Sequence, residues 1–248
     1  MFSRSQTTAA AAAVLKTRLG PLVAAGLALA GLAGPARADP TSLGPTPYLS
    51  FADSPFAGAS FGYFHLETFE DHLLNTPGVS ADAGGVTSVV FGPMIHDSVD
   101  ADDGAIDGSG LNGDSFYSGF GAGGIKFTFS AAALGSLPTR AGLVWTDAGA
   151  GSSVTFSAFG PNGELLFTQT APGIADNSNN GETAEDRFFG VVNAAGISAV
   201  FVSNTGGGIE VDHLQYGLAA PVPEAQTSAL MLAGLAAGSL LVRRRRRG

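Results

Sequence analysis

The chain has 248 residues, 36 of them Gly and none Cys, with 13% charged and 45% apolar residues. The lack of Cys excludes a disulfide scaffold, thiolate metal sites and a Cys nucleophile, and the apolar share excludes a disordered acidic chain. Charge is segregated: of 12 bases, four precede residue 39, five form the run Arg243 to Arg247, and only Lys126, Arg140 and Arg187 face the 20 acids between Asp39 and Asp212, a balance of −17 over residues 39–221. Such a segment repels nucleic acid and anionic lipid and suits cations and neutral ligands.

Residues 1–38 read as a secretory signal peptide. Arg4, Lys16 and Arg18 supply a positive start, and Leu19 to Leu32 is an uncharged stretch of 14 residues, short of the ~20 that span a bilayer. Ala36-Arg37-Ala38 then gives a small-x-small site. Signal peptidase is expected to cut after Ala38, leaving Asp39 as the mature start.

Residues 39–216 are expected to form one secreted acidic domain, joined by a linker at 217–221 to the tail. Apolar/polar alternation predicts strands over Phe61–Phe69, Thr87–Phe91, Ile125–Phe129, Gly142–Thr146, Val154–Ala158, Leu165–Gln169, Arg187–Val192, Ile197–Ser203 and Gly208–Tyr216. The period of two, the Phe and Val content and the intervening Gly, Asn and Asp clusters carry that reading. No long run has helical period. The fold class is therefore all-β, a two-sheet β-sandwich or jelly roll. The 17 Phe can fill its core, and Trp145, the single Trp, is expected inside it. Arg187 is expected to pair with a neighbouring acid at its strand start.

Three catalytic-looking patterns are explained by Gly-rich turns. Gly58-Ala59-Ser60-Phe61-Gly62 and Gly119-Phe120-Gly121-Ala122-Gly123-Gly124 each run into a predicted strand, where a nucleophile elbow or dinucleotide loop needs a helix. Gly113-Asp114-Ser115 matches a block of some esterases whose helices are absent here. His65, His72, His96 and His213 have no zinc-ligand spacing. No enzymatic activity is expected.

The acids are more informative. Asp97, Asp100, Asp102, Asp103 and Asp107 place five carboxylates within eleven positions. Among them Asp100, Asp102 and Asp107 are candidate ligands for calcium, a hard cation with 6–8 oxygen neighbours; a solvated acidic turn is the alternative. A second constellation joins Thr68-Phe69-Glu70-Asp71 to Ile209-Glu210-Val211-Asp212-His213-Leu214. These segments resemble the Phe-Glu-Asp and hydrophobic-Asp-Asp elements of carbohydrate-binding-module-like sandwiches. The resemblance implies a structural calcium held by Glu70 and Asp212 with backbone carbonyls. The chain departs from that pattern at His72, where Gly is usual, and at His213, where a second Asp is usual.

Residues 222–248 form a tail in three parts: Val222-Pro223-Glu224, an apolar helix predicted over 227–242, and Arg243 to Arg247. Apolar residues ending in clustered Arg form a stop-transfer signal. The 14 uncharged residues Ala229 to Val242 span about 21 Å at ~1.5 Å each, and snorkelling Arg stems extend that reach. The order of parts resembles the PEP-CTERM sorting signal of Gram-negative bacteria, with Ala225 in place of the second Pro. The resemblance implies cutting near Pro223 and Glu224 by an exosortase, after transient anchoring in the inner membrane, and delivery to the outer surface or matrix. The expected function is that of an exported, calcium-stabilised structural protein of the envelope or exopolysaccharide matrix. The alternatives are a glycan-binding module of the same fold or a secreted glycan-active hydrolase.

Overall fold

A computed structural model of the chain describes residues 38–92, 98–99, 113–176, 184–220 and 233–235. Its strands in chain order are β1 (Thr41–Pro47), β2 (Phe61–Glu67), β3 (Val79–Ala81), β4 (Gly85–Val86), β5 (Phe116–Ser118), β6 (Ile125–Phe129), β7 (Arg140–Ala148), β8 (Val154–Phe159), β9 (Leu165–Ala171), β10 (Arg187–Val192), β11 (Ala199–Asn204) and β12 (Ile209–Ala219). Two short helices, α1 (Thr87–Phe91) and α2 (Ala131–Leu134), interrupt them.

The strands pair antiparallel into two sheets. One has the order β1-β10-β7-β12-β5-β4 with β2 also beside β12; the other has the order β3-β6-β11-β8-β9. The chain is thus mostly β, with the two layers expected of a sandwich. Alternate residues of each sheet meet in a common core that includes Trp145, Phe189 and Val211 from the first sheet and Phe127, Phe156 and Val200 from the second. Burying one face of each sheet is what fixes the register, because a slip of one residue would turn every apolar side chain outward.

The seven-stranded sheet is covered on its outer face as well. Tyr48, Phe56, Val99, Val144 and Phe188 form a second apolar cluster there. Residues Ala141 to Thr146 of β7 are consequently buried on both faces, and Trp145 lies in the core as its sequence context predicts. β12 is the spine of this sheet: it pairs with β7 on one side and with β5 and then β2 on the other. Of the segment Ile209 to Leu214, Ile209 to Val211 pairs with β5 and Leu214 pairs with Glu67 at the end of β2.

Seven of the nine predicted strands match in position to within two residues at either end. Gly208–Tyr216 is also a strand, with β12 running on to Ala219. Thr87–Phe91 is different: it is helix α1, not a strand. The carboxylate of Asp114 accepts the Ser88 N–H at 2.8 Å and the Thr87 hydroxyl at 3.0 Å, which satisfies donors that a helix start leaves open. Gly92, at φ 86, ends the turn. β1 was not predicted at all. It contains Pro45 and Pro47, which a central strand rejects and an edge strand tolerates, and β1 is the edge. Gly44 is required there: its φ is +80, and a Cβ would fall 2.0 Å from the Phe188 carbonyl oxygen. The Gln169 side chain of β9 donates to the Gly44 carbonyl, tying the edges of the two sheets together.

Among the described residues no helix is long and apolar enough to cross a membrane. The predicted helix over 227–242 lies outside the described residues except at 233–235, which are helical.

Candidate functional site

The densest polar cluster forms where the loop after β2 meets the start of α1 and the residues before β5. Glu67 ends β2 with its side chain buried. Its carboxylate accepts the backbone N–H groups of Phe69 at 3.2 Å, Asn75 at 3.0 Å and Thr76 at 3.0 Å, so one anion ties both ends of the loop. Inside that ring Phe69 (φ 61) and His72 (φ 66) are left-handed, a conformation that costs an L residue about 1–2 kcal/mol. Charge-assisted bonds to Glu67 and burial of the Phe69 ring against Phe116, 5.3 Å between centroids, offset that cost.

The loop brings His72 to Asp114. The buried Asp114 carboxylate contacts His72 Nδ1 and accepts the Ser88 hydroxyl at 2.7 Å, in addition to its bonds from Thr87 and the Ser88 N–H. The Asp114 N–H in turn donates to Glu70 Oε1 at 2.6 Å. Burial alone would raise the Asp114 pKa, but the bonds from Ser88, His72 and Thr87 outweigh it and hold the group below the ordinary carboxylate value of 3.8.

Ser88, His72 and Asp114 have the residue types of an acyl-transfer triad but not its arrangement. Ser88 Oγ lies 3.0 Å from His72 Nδ1, the same nitrogen that contacts Asp114. A proton relay needs the Ser on the opposite ring nitrogen from the Asp. Here the Ser88 proton is committed to Asp114, and the cluster is built to stabilise an anion and clamp three segments together.

A second buried polar group lies on the outer face of β12. Asp212, fully buried, accepts the Ser98 hydroxyl at 3.0 Å, the Val99 N–H at 2.9 Å and the His213 N–H at 2.5 Å. β12 slips register between Asp212 and Gln215, with His213 at φ 42. His213 Nδ1 lies 3.0 Å from the Tyr48 hydroxyl, Gln215 donates to that hydroxyl at 2.8 Å, and Ser54 donates to Gln215 at 2.6 Å. Glu210 accepts the Ser115 hydroxyl at 3.0 Å, and Glu185 accepts the Asp176 N–H at 2.6 Å.

None of the domain's three bases forms an ion pair with a described acid. Lys126 Nζ sits 4.6 Å from the Phe159 ring centre, and Arg140 lies over Phe56 at 6.0 Å and Phe61 at 5.7 Å. Among the described residues Arg187 pairs with no acid, and its guanidinium donates to the carbonyls of Ala184 and Asp186. A carbonyl at the strand start is nearer to hand and asks for no second ordered side chain.

Of the residues singled out in the sequence, Glu70 and Asp212 belong to these two hydrogen-bonded groups, each with its own donors. Asp100, Asp102 and Asp107 lie outside the described residues, as do Pro223 and Glu224. Ala38 and Asp39 are exposed immediately before β1. Among the described residues no three His, Asp or Glu side chains converge on a point that could hold a metal ion. Asp114, Ser88 and Thr87 were not foreseen as a group. Asp114 stood out only as part of a Gly-Asp-Ser triplet, and its partners lie 26 to 42 residues away, a separation that no local periodicity reports.

No family model and no curated protein matches the chain. Among solved structures, 61% of the chain aligns with 20% of a chain of the enzymatically active domain of bacteriophage CBA120 tailspike protein 4, at 16% identity and a TM-score of 0.31. The C-terminal family 22 carbohydrate-binding module of Clostridium thermocellum Xyn10B aligns over 98% of its length with 66% of this chain, at 10% identity and a TM-score of 0.31. A xylan-binding domain of carbohydrate-binding-module family 22 aligns over 99% of its length with 66% of this chain, at 10% identity and the same score of 0.31. Superpositions at that level carry no weight for activity, and the two-sheet architecture rests on the strand pairing itself.

Removing the central anion tests the clamp. Asp114→Ala leaves the Thr87 and Ser88 donors without their acceptor and should cost about 2–3 kcal/mol in chemical denaturation at neutral pH. Because the folded pKa lies below the ordinary 3.8, the stabilisation is complete above 3.8 and disappears as pH falls through the lowered value. The gap between wild type and variant should therefore close on the acid side of 3.8; a gap of constant size down to the acid transition would contradict the assignment.

Proposed function

We propose that this chain is an exported structural protein of the cell exterior, sorted by its C-terminal tail and acting without catalysis in the envelope or exopolysaccharide matrix of a Gram-negative bacterium. The observation that carries this reading is the order Val222-Pro223-Glu224, an uncharged apolar stretch, and Arg243 to Arg247. Signal peptidase takes the N-terminal segment, the Arg cluster stops transfer across the inner membrane, and an exosortase then cuts near Pro223 and Glu224. Cutting at Ala38 and at Pro223-Glu224 would leave every described strand intact, since β1 starts at Thr41 and β12 ends at Ala219. A net −17 between these points suits a soluble exterior protein that avoids anionic lipid.

Intact-mass measurement of the extracellular form in a host with an exosortase tests the sorting. The expected species begins at Asp39 and lacks Arg243 to Arg247. A secreted species that retains the Arg run would overturn it.

Calcium enters this reading through charge, as a divalent ion that relieves self-repulsion of the folded domain. A ligand bound only by the folded state stabilises by RT ln(1 + [L]/Kd), ~2.7 kcal/mol at a hundredfold excess. Melting temperature should rise in calcium above its value in sodium chloride at matched ionic strength. Asp212→Asn should remove that increment if Glu70 and Asp212 are ligands, and Asp102→Asn if the Asp100–Asp107 loop is the site. Equal melting in calcium and in EDTA would remove calcium from the account.

A further inference from the structure

We propose that the outer face of the five-stranded sheet is a binding surface for a neutral polysaccharide. The proposal rests on the matrix location argued above and names the partner that location would offer. The five strands β3, β6, β8, β9 and β11 contain no Asp or Glu, in a segment that carries 20 acids. Their inward residues fill the core. Their outward residues form an array in three rows, set by the strand register with a shift between Ala158 and Phe159: Ser80, Thr128, Ala199, Phe159 and Leu165; Lys126, Phe201, Ser157 and Thr168; and Ser203, Thr155 and Thr170.

The chemistry of that array is specific. It holds one charge, the Lys126 ammonium, which sits over the Phe159 ring. Ser80, Thr128, Leu165, Thr168 and Thr170 are exposed. Hydroxyls pair across strands β8 and β9, Ser157 with Thr168 at 2.9 Å and Thr155 with Thr170 at 3.1 Å, and the exposed Thr168 and Thr170 keep hydrogen-bonding capacity toward solvent. The tip of the Phe201 ring lies against Gly124, where a Cβ would come within 2.5 Å of it; the absence of a side chain lets an aromatic ring settle onto the sheet. Rings offer a face to the C–H side of a sugar, and Ser and Thr hydroxyls exchange hydrogen bonds with sugar hydroxyls. An apolar protein surface would leave the hydroxyl rows unpaired, and an anionic polymer is repelled by the surrounding −17.

Affinity electrophoresis of the purified full chain tests this, in native gels cast with hydroxyethyl cellulose, galactomannan or alginate. The chain should be retarded in at least one neutral gel and not in alginate. Phe201→Ala and Thr168→Glu should each weaken that retardation roughly tenfold, the equivalent of 1.4 kcal/mol, while Thr41→Glu on β1 leaves it unchanged. Thr168 is exposed, so Thr168→Glu keeps the fold and carries the test if Phe201→Ala unfolds. Migration unaltered in both neutral gels, or equal retardation of wild type and Thr168→Glu, would overturn the proposal. So would a concentration-dependent dimer in light scattering that Thr168→Glu abolishes, since the face would then belong to a second copy. Retention of the Arg tail on the secreted protein would sink the sorting reading and leave these gel results standing.

Discussion

The structure depends on hydrogen-bonding the carboxylates that it buries. Glu67, Asp114, Glu185, Asp186, Glu210 and Asp212 are all less than a tenth exposed, and the three bases of the domain are engaged by rings and carbonyls. A buried anion without compensation is prohibitively costly. Here the compensation comes from hydrogen-bond donors: three backbone N–H groups for Glu67, two hydroxyls, an N–H and His72 for Asp114, and one hydroxyl and two N–H groups for Asp212. Glu67 closes its own loop, whereas Asp114, Glu210 and Asp212 join segments 26 to 114 residues apart.

That constraint divides the molecule. The seven-stranded sheet and the loops beside it carry the buried anions, the left-handed Phe69, His72 and His213, and a second apolar layer. The strands of the five-stranded sheet are acid-free, and their outer face exposes Ser80, Thr128, Leu165, Thr168 and Thr170. Strain and buried charge are concentrated on one side, and the other side is left as an even, almost uncharged surface. Lys126 and Arg140 resting on aromatic rings fit the same economy, because a cation–π contact needs no carboxylate partner.

Much of the fold was legible because a half-buried strand writes a period of two into the sequence. Ile125–Phe129 and Arg187–Val192 are strands with the bounds their alternation predicts. β1 was illegible because its prolines and Gly44 look like loop chemistry, and only its edge position makes them acceptable. Thr87–Phe91 has strand-like residues, yet Asp114, from 26 and 27 residues away, supplies the acceptor that starts a helix turn. The same long-range dependence hid the Asp114 cluster. His72 and His213, noted as departures from a resemblance, turned out to sit at positive φ, a backbone property that composition does not reveal.

The central claim is that donated hydrogen bonds outweigh burial at a buried carboxylate, and Asp114 is its most direct probe. Carboxyl-carbon NMR titration of the full chain, assigned by comparison with Asp114→Asn, follows that one group. The account predicts a midpoint below the ordinary 3.8, because donated hydrogen bonds favour the anion. A midpoint at or above 3.8 would mean that burial outweighs the donors, and would contradict it.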